Sequence, residues 1–349
     1  MRDFQVAIHG QEGNFSERWI EYCDEKGIPY KVVNCYESDI MSQLLSADAL
    51  LWHWLHTTPE AVLIARHVIR AAELMGLKVF PNTNTCWSYD DKVAQKYLLE
   101  AIGAPLVPTY VFYNRHRALN WIKQISFPKV FKLRRGAGSR NVRLVRNARE
   151  ACALVKQAFG RGFKPMASRT RELVAKLRTH SGRKSLDLLG KIGRFPQTAL
   201  KIYRINKYLG REKGYVYFQD FVPDNQLDTR ITVIGNRAFG FTRNVRERDF
   251  RASGSGSIDY SLNRINPESV HIAFDVARKL GAQSIAFDFV MSAEAEPKIT
   301  EVSYCYVAEA VHRCEGYWDE RLIWHEGHMW PQDAILIDLL EQLSRDQKT

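Results

Sequence analysis

Residues 285–304 read IAFDFVMSAEAEPKITEVSY, two apolar runs separated by a short polar turn. IAFDFVM (285–291) and KITEVSY (298–304) have the length and composition of neighbouring strands. Each run carries one acid, and Asp288 and Glu301 lie thirteen residues apart. An acid inside an apolar strand is unfavourable unless it is paired or bound to a cation. Two carboxylates on adjacent strands form a hard-cation site of the kind that Mg²⁺ takes together with substrate phosphates. Pairing of each acid with one of the many arginines explains the same pattern, so the acids by themselves leave both readings open.

Working upstream, residues 127–145 (FPKVFKLRRGAGSRNVRLV) read as two strands joined by a glycine-containing loop. A strand lysine followed by such a turn suits phosphate binding. Glycine lets backbone N–H groups approach an anion, and lysine adds a compact positive charge. The turn has neither G-x-x-x-x-G-K-[ST] nor G-x-G-x-x-G, which excludes a P-loop and leaves a dinucleotide site without support. By itself this stretch is equally a hairpin with a solvated basic face.

The beginning of the chain alternates between the two kinds of element. FQVAIH (4–9), YKVVNC (30–35), ADALLWHWL (47–55) and KVFPN (78–82) read as strands. Between them lie SERWIEYCDEKG, with Ser16 as its expected N-cap and Gly27 as its stop, and TPEAVLIARHVIRAAELMG, with Pro59 in its first turn and Gly76 at its end. Strand, helix and strand in succession predict a small parallel α/β layer. From Tyr89 a helix is expected through DDKVAQKYLLEAIG, and short alternating strands over YVYFQDFV, TRITVIG and RAFGFTR predict an antiparallel sheet. PESVHIAFDVARKLG and QDAILIDLLEQLSRD read as helices.

With 349 residues, 45% apolar and 26% charged, the chain has material for two or three packed subdomains. MRDFQVAIHG lacks the pattern of a signal peptide, and no apolar run approaches a membrane span, so the expectation is a cytoplasmic protein without a membrane span. The six cysteines are scattered, with no C-x-x-C pair, and read as free buried thiols. The net charge of +11 is local: residues 160–215 hold fifteen Lys/Arg against three Asp/Glu, while the remainder, 35 basic and 36 acidic, is nearly neutral. A solvated face explains such a run, and so does binding of an acidic polymer, an anionic membrane surface or nucleic acid. Nucleic acid is the weaker reading, because one segment holds the whole excess and has few aromatics.

The order of the segments resembles the ATP-grasp superfamily. DDK before a helix, a strand lysine with a glycine loop, FQDFV, D-x-R, FDFV and TEVS follow one another along residues 80–310. The arrangement is most similar to the branch of the ribosomal-protein glutamate ligases and glutathione synthetases, whose D-x-R and E-F-R-S motifs have counterparts in LDTRITVIG and RDFRASGSG. The resemblance implies an α/β (α+β) ATP-grasp fold in which a Rossmann-like subdomain (1–88) precedes two subdomains that clamp ATP. These are a small lid subdomain (89–222) with a basic insertion near 160–215, and a C-terminal metal and substrate subdomain (223–349). It implies that Lys92 and Lys132 reach the nucleotide phosphates and that Gly136, Ala137, Gly138 and Ser139, with Arg140, form the loop over them. Phe221 and Val222 would meet adenine, with Gln219 and Asp220 beside it and Asp224 on the ribose. Arg230, Arg243 and Arg251 fall at positions that neutralise transferred phosphate or bind the acyl substrate, and Asp288, Glu301 and Ser303 at the metal positions. Where the family has Glu-x-Asn, this chain has Glu301-Val302-Ser303, a shorter ligand that weakens a second metal site.

The cofactors so implied are ATP and Mg²⁺, and the reaction is ligation of a small-molecule carboxylate to an amine through an acylphosphate. An acidic polymer or surface polysaccharide is a further acceptor suited to the basic segment. A nucleotide-binding protein without ligase activity is the alternative, and an anionic-polymer- or nucleic-acid-binding protein a third. The serines and glycines of 250–257 (FRASGSGS) suit substrate binding beside Arg251. His53 and His56 follow a strand where a substrate could approach, although packing of Trp52, Trp54 and both histidines against a neighbouring subdomain accounts for them equally well.

Overall fold

The β-branched and apolar runs at the start of the chain pair as a parallel sheet. The computed structural model describes residues 4–136, 141–164, 207–245 and 257–346. Its first strands are β1 (Val6–His9), β2 (Tyr30–Val33), β3 (Ala49–Leu51) and β4 (Lys78–Phe80), in the order β2-β1-β3-β4 with every neighbour parallel. Parallel neighbours need crossovers, which α1 (Phe15–Lys26), α2 (Ile40–Gln43) and α3 (Pro59–Leu74) provide. The cap of α1 is Asn14, whose side chain accepts from the Phe15 N–H. Ser16 is buried and bonds Gln11 instead, so the N-cap expected at Ser16 lies two residues earlier. Gly27 ends the helix at φ 63°, a left-handed conformation that glycine adopts freely.

α4 (Thr83–Cys86) and α5 (Lys92–Ala101) follow. Next come β5 (Thr109–Phe112), α6 (Arg115–Ile122), β6 (Lys129–Lys132), β7 (Val142–Val145), α7 (Ala148–Phe159) and β8 (Val216–Asp220). The four strands form an antiparallel sheet, β5-β8-β6-β7. Phe131, Val216 and Phe218 share a buried cluster with Ala118 and Ile122 of α6 and with Leu154, Val155 and Ala158 of α7. Because strand side chains alternate, Lys132, Tyr217 and Gln219 fall on the face opposite to those helices.

A larger antiparallel sheet comprises β9 (Leu227–Ile234), β10 (Arg237–Asn244), β11 (Ile258–Asp259), β12 (Ser284–Met291), β13 (Pro297–Ser303), β14 (Gly316–Trp318) and β15 (Trp324–Glu326). Its order is β13-β12-β9-β10-β14-β15, with β11 on β10. One face, with Ile231, Val233, Ile285 and Phe287, packs on α8 (Pro267–Leu280). The other contributes Ile234, Phe239, Phe241 and Ala286 to a core shared with the parallel sheet and with α10 (Pro331–Asp346); α9 (Ala308–His312) lies between.

The chain forms two compact units: 1–56 with 60–107 and 222–349, and 57–59 with 108–221. The boundary expected at 88/89 therefore falls inside the first unit, because α5 packs on β13 and the parallel sheet shares its core with the C-terminal sheet. Among the described residues no helix is long and apolar enough to cross a membrane.

Candidate active site

Strand register assembles a charged cluster in the first unit. Asp288 on β12 stands directly opposite Glu301 on β13 and opposite Arg230 on β9, while Asp228 on β9 faces Arg243 on β10. Residues two apart on a strand share a face, so the side chains meet on one side of the sheet. The Arg230 guanidinium grips Asp288 with two parallel bonds, of 2.7 and 2.8 Å. Arg243 grips Asp228 in the same way, at 2.7 and 2.6 Å, and reaches Asp288 Oδ1 at 2.9 Å. Burial raises the Asp288 carboxyl, but Arg230 and Arg243 outweigh it and hold the acid below its ordinary range. Asp228 is pushed up, by burial and by the charge of Asp288, against the pull of Arg243.

Lys92 enters the cluster from α5. The Asp91 side chain caps that helix, accepting from the Val93 and Ala94 N–H groups at 3.1 and 3.0 Å. This places Lys92 in the first turn, buried, with its Nζ 2.9 Å from Glu301 Oε1. The chain before α5 runs alongside the end of β13. There the Tyr89 hydroxyl bonds His56 Nδ1 at 2.7 Å and the Cys305 thiol, whose pKa burial pushes up to about 11. His53 is a core residue: it stacks on Phe15 at 3.8 Å, its Nδ1 lies 2.7 Å from Asn14 Oδ1, and burial lowers its pKa to about 3. Trp52 and Trp54 are buried beside it.

In the second unit Lys132 and Gln219 are buried on the same sheet face, with Gln219 Nε2 donating to Thr109 Oγ1 at 3.1 Å. Asp220 falls on the opposite face and pairs with Lys129 at 2.6 Å, where Lys129 also lies over the Tyr110 ring.

No protein-family model matches the sequence, and no curated protein is similar to it in sequence. Solved structures are similar in fold. The D-cycloserine synthetase DcsG superposes with a TM-score of 0.55 at 12% identity, over 96% of this chain and 99% of that one. A biotin carboxylase from Campylobacter jejuni, in a β,γ-ATP complex, gives 0.58 at 12% identity over 96% and 70%. A RimK domain protein of the ATP-grasp type from Sphaerobacter thermophilus gives 0.51 at 17% identity over 85% and 90%. The fold is ATP-grasp.

On this ATP-grasp frame the residues singled out in the sequence divide into three groups. Lys92, Arg230, Arg243, Asp288 and Glu301 converge in the first unit, whereas Lys132, Gly136 (φ 122°), Gln219, Asp220 and Phe221 belong to the second. Ala137, Gly138, Ser139, Arg140 and Arg251, and nearly all of 250–257, lie outside the described residues. Val222 begins the return to the first unit, and Asp224 is exposed in a turn at φ 62°.

The two readings that the acids left open meet in one place, since Asp288 and Glu301 are paired with basic side chains and also face one another. Among the described residues no group of three His, Cys, Asp or Glu side chains is arranged to hold a metal ion. Two facing carboxylates, with the Glu301 side chain 31% exposed, nonetheless fit one hard cation whose shell phosphate oxygens and water complete. Ser303 does not extend the set. Its hydroxyl donates to the Cys305 carbonyl at 2.9 Å and accepts from the Cys305 N–H at 3.1 Å, closing a local turn.

Sequence reasoning missed Asp228 and Lys129. Asp228 is the first residue of the D-x-R motif, which carried a signal. Lys129 lay in plain view in K-x-x-K, whose odd spacing puts the two lysines on opposite faces of a strand.

Proposed function

We propose that this protein is an ATP- and Mg²⁺-dependent ligase that joins a carboxylate to an amine through an acylphosphate. The observation that carries the reading is the in-register cluster of Asp288, Glu301, Arg230, Arg243 and Lys92. It gathers the carboxylates that a nucleotide-bound cation needs and the cations that a transferred phosphoryl group needs. In the proposed reaction a substrate carboxylate oxygen attacks the γ-phosphorus and ADP leaves with the bridging oxygen. An amine then attacks the acyl carbon, the C–O bond to phosphate breaks, and the amine nitrogen loses a proton as the amide forms. Magnesium, held by Asp288 and Glu301, would neutralise charge on the nucleotide phosphates. Arg230 and Arg243 stabilise the negative charge that spreads over the transferred group, and Lys92 and Lys132 fix the phosphates. Positioning and charge are the main demands of such chemistry. Phe221 and Val222 are assigned to adenine and Asp224 to the ribose, and Arg251 is retained as a substrate-binding arginine.

The charge of residues 160–215 extends the reading to an acidic polymer as acceptor. The similar structures include a synthetase and a carboxylase, whose small-molecule chemistry comes to this chain only by analogy. The test is hydroxylamine trapping with ATP, Mg²⁺ and a broad panel of acids. A hydroxamate with matching ADP release is expected from at least one acid. Good ATP binding with no hydroxamate across the panel leaves the second reading, a nucleotide-binding protein without ligase activity, which the closed turn at Ser303 favours.

A further inference from the structure

The described residues that flank the basic stretch in sequence, 161–163 and 211–212, form a closed neck. Phe163 and Glu212 form a two-way backbone bridge, with N···O distances of 2.8 and 2.9 Å. Gly162, at φ 68°, fits so tightly that a Cβ there would sit 2.7 Å from the Glu212 carbonyl oxygen. Arg211 fastens the same point from outside, through its guanidinium, to the carbonyls of Arg161 and Gly162.

From this neck the Glu212 side chain turns inward. It is 3% exposed, an unusual place for a carboxylate, and all its described partners lead to one segment. The Tyr215 hydroxyl donates to Glu212 Oε2 at 2.9 Å and accepts from the Arg134 N–H at 2.7 Å. The Arg134 and Arg135 side chains lie 3.4 and 3.7 Å from the same carboxylate. Burial and the charge of Glu212 keep the Tyr215 phenol protonated. Leu133, Arg134 and Arg135 are the three residues between the end of β6, with its Lys132, and Gly136. A single buried acid thus holds residues 134–135 directly, through two guanidinium groups, and reaches the Arg134 backbone N–H through the Tyr215 hydroxyl.

We infer that Glu212, acting through Tyr215, is a positioning residue for nucleotide polyphosphate: it fixes the path of residues 133–136 as they leave β6 and so places Arg134, Arg135 and Gly136 toward the β- and γ-phosphates. The inference rests on the nucleotide reading above and deepens it. No part of the neck contacts the nucleotide in this assignment. Its effect is confined to the phosphates beyond the first, because Lys132 and β8 remain held by the β6–β8 pairing.

The test compares dissociation constants for ATP, ADP and AMP, with Mg²⁺, in the full chain and in Glu212→Gln and Tyr215→Phe. Both variants are expected to weaken ATP and ADP about tenfold while AMP stays within about twofold, the size of effect that loss of one hydrogen bond to a charged group gives. A general loosening of the unit moves all three nucleotides together, and that result overturns the inference. So does an unchanged ATP-to-AMP ratio in both variants. Should Glu212→Gln fail to melt cooperatively, Tyr215→Phe, which keeps the acid and the backbone bridge, decides alone. Failure of the wild type to bind any of the three nucleotides overturns the nucleotide reading itself, a separate result.

Discussion

Asp288 shares its two oxygens among three guanidinium contacts, and Asp228 takes two more. The cluster of Asp228, Arg230, Arg243 and Asp288 is formally neutral, which is the condition under which four buried charges can coexist. Removing one cation breaks that balance. Arg243→Ala leaves Asp228 without its fork and Asp288 with one arginine, and is expected to lower stability by about 3–5 kcal/mol. Urea unfolding measures this, and a loss below about 1 kcal/mol shows that the pairs are screened as surface pairs are. Ser303 behaves differently. Its hydroxyl is engaged in a two-residue turn, so Ser303→Ala should cost about 1 kcal/mol in stability and leave the Mg²⁺ dependence of ATP binding unchanged. A fall in Mg²⁺ affinity for this variant returns Ser303 to the metal shell.

At the level of elements, the parallel sheet carries a pH dependence of its own. His9, at the end of β1, accepts the Cys35 N–H at its Nδ1, and burial lowers its pKa to about 4; His53, just beyond β3, is lowered to about 3. Both folded values lie below the ordinary 6.5. Between those limits the unfolded chain binds more protons, so the stabilisation is complete above 6.5 and declines as pH falls. The expected slope is about 1.4 kcal/mol per pH unit for each histidine that titrates. Denaturant melts from pH 7 to 4.5 should show the decline, and His53→Gln should remove about half of it. A flat profile in the wild type excludes both histidines as its source. The elements themselves were largely legible in the sequence, because periods of two and 3.6 mark strands and helices directly. The acids of β12 and β13 were legible for the same reason: an ionised group in an apolar strand demands a partner. Partner choice was not legible. Asp288 meets Arg230 and Glu301 meets Lys92 only through strand register and the cap at Asp91, and neither follows from composition. The cap of α1 was misplaced because Asn14 and Ser16 are both good caps, and tertiary burial of Ser16 decided between them.

For the whole molecule, the charge excess and the ATP-grasp frame are separable in the sequence, and the neck shows that they are separable in the chain. Phe163 and Glu212, which flank the basic stretch in sequence, are bridged to one another in the second unit. Closing a loop costs entropy that grows only slowly with its length, so the fold does not require this length. Replacement of 165–206, which holds ten Lys/Arg against two Asp/Glu, by a short Gly/Ser linker should leave cooperative unfolding intact and ATP affinity within about threefold, a shift of under 1 kcal/mol. The same variant should lose salt-dependent binding to a polyanion such as poly-glutamate, because attraction between clustered cations and a polyanion is what added salt screens. Retention of that binding assigns the polyanion affinity to the remainder of the chain, whose formal charge is near zero outside 160–215, and removes the acidic acceptor from the functional reading. Loss of ATP binding together with polyanion binding means instead that the basic stretch supports the nucleotide site, which the closed neck does not predict. The two halves of this experiment therefore separate what the ATP-grasp frame does from what its basic insertion adds.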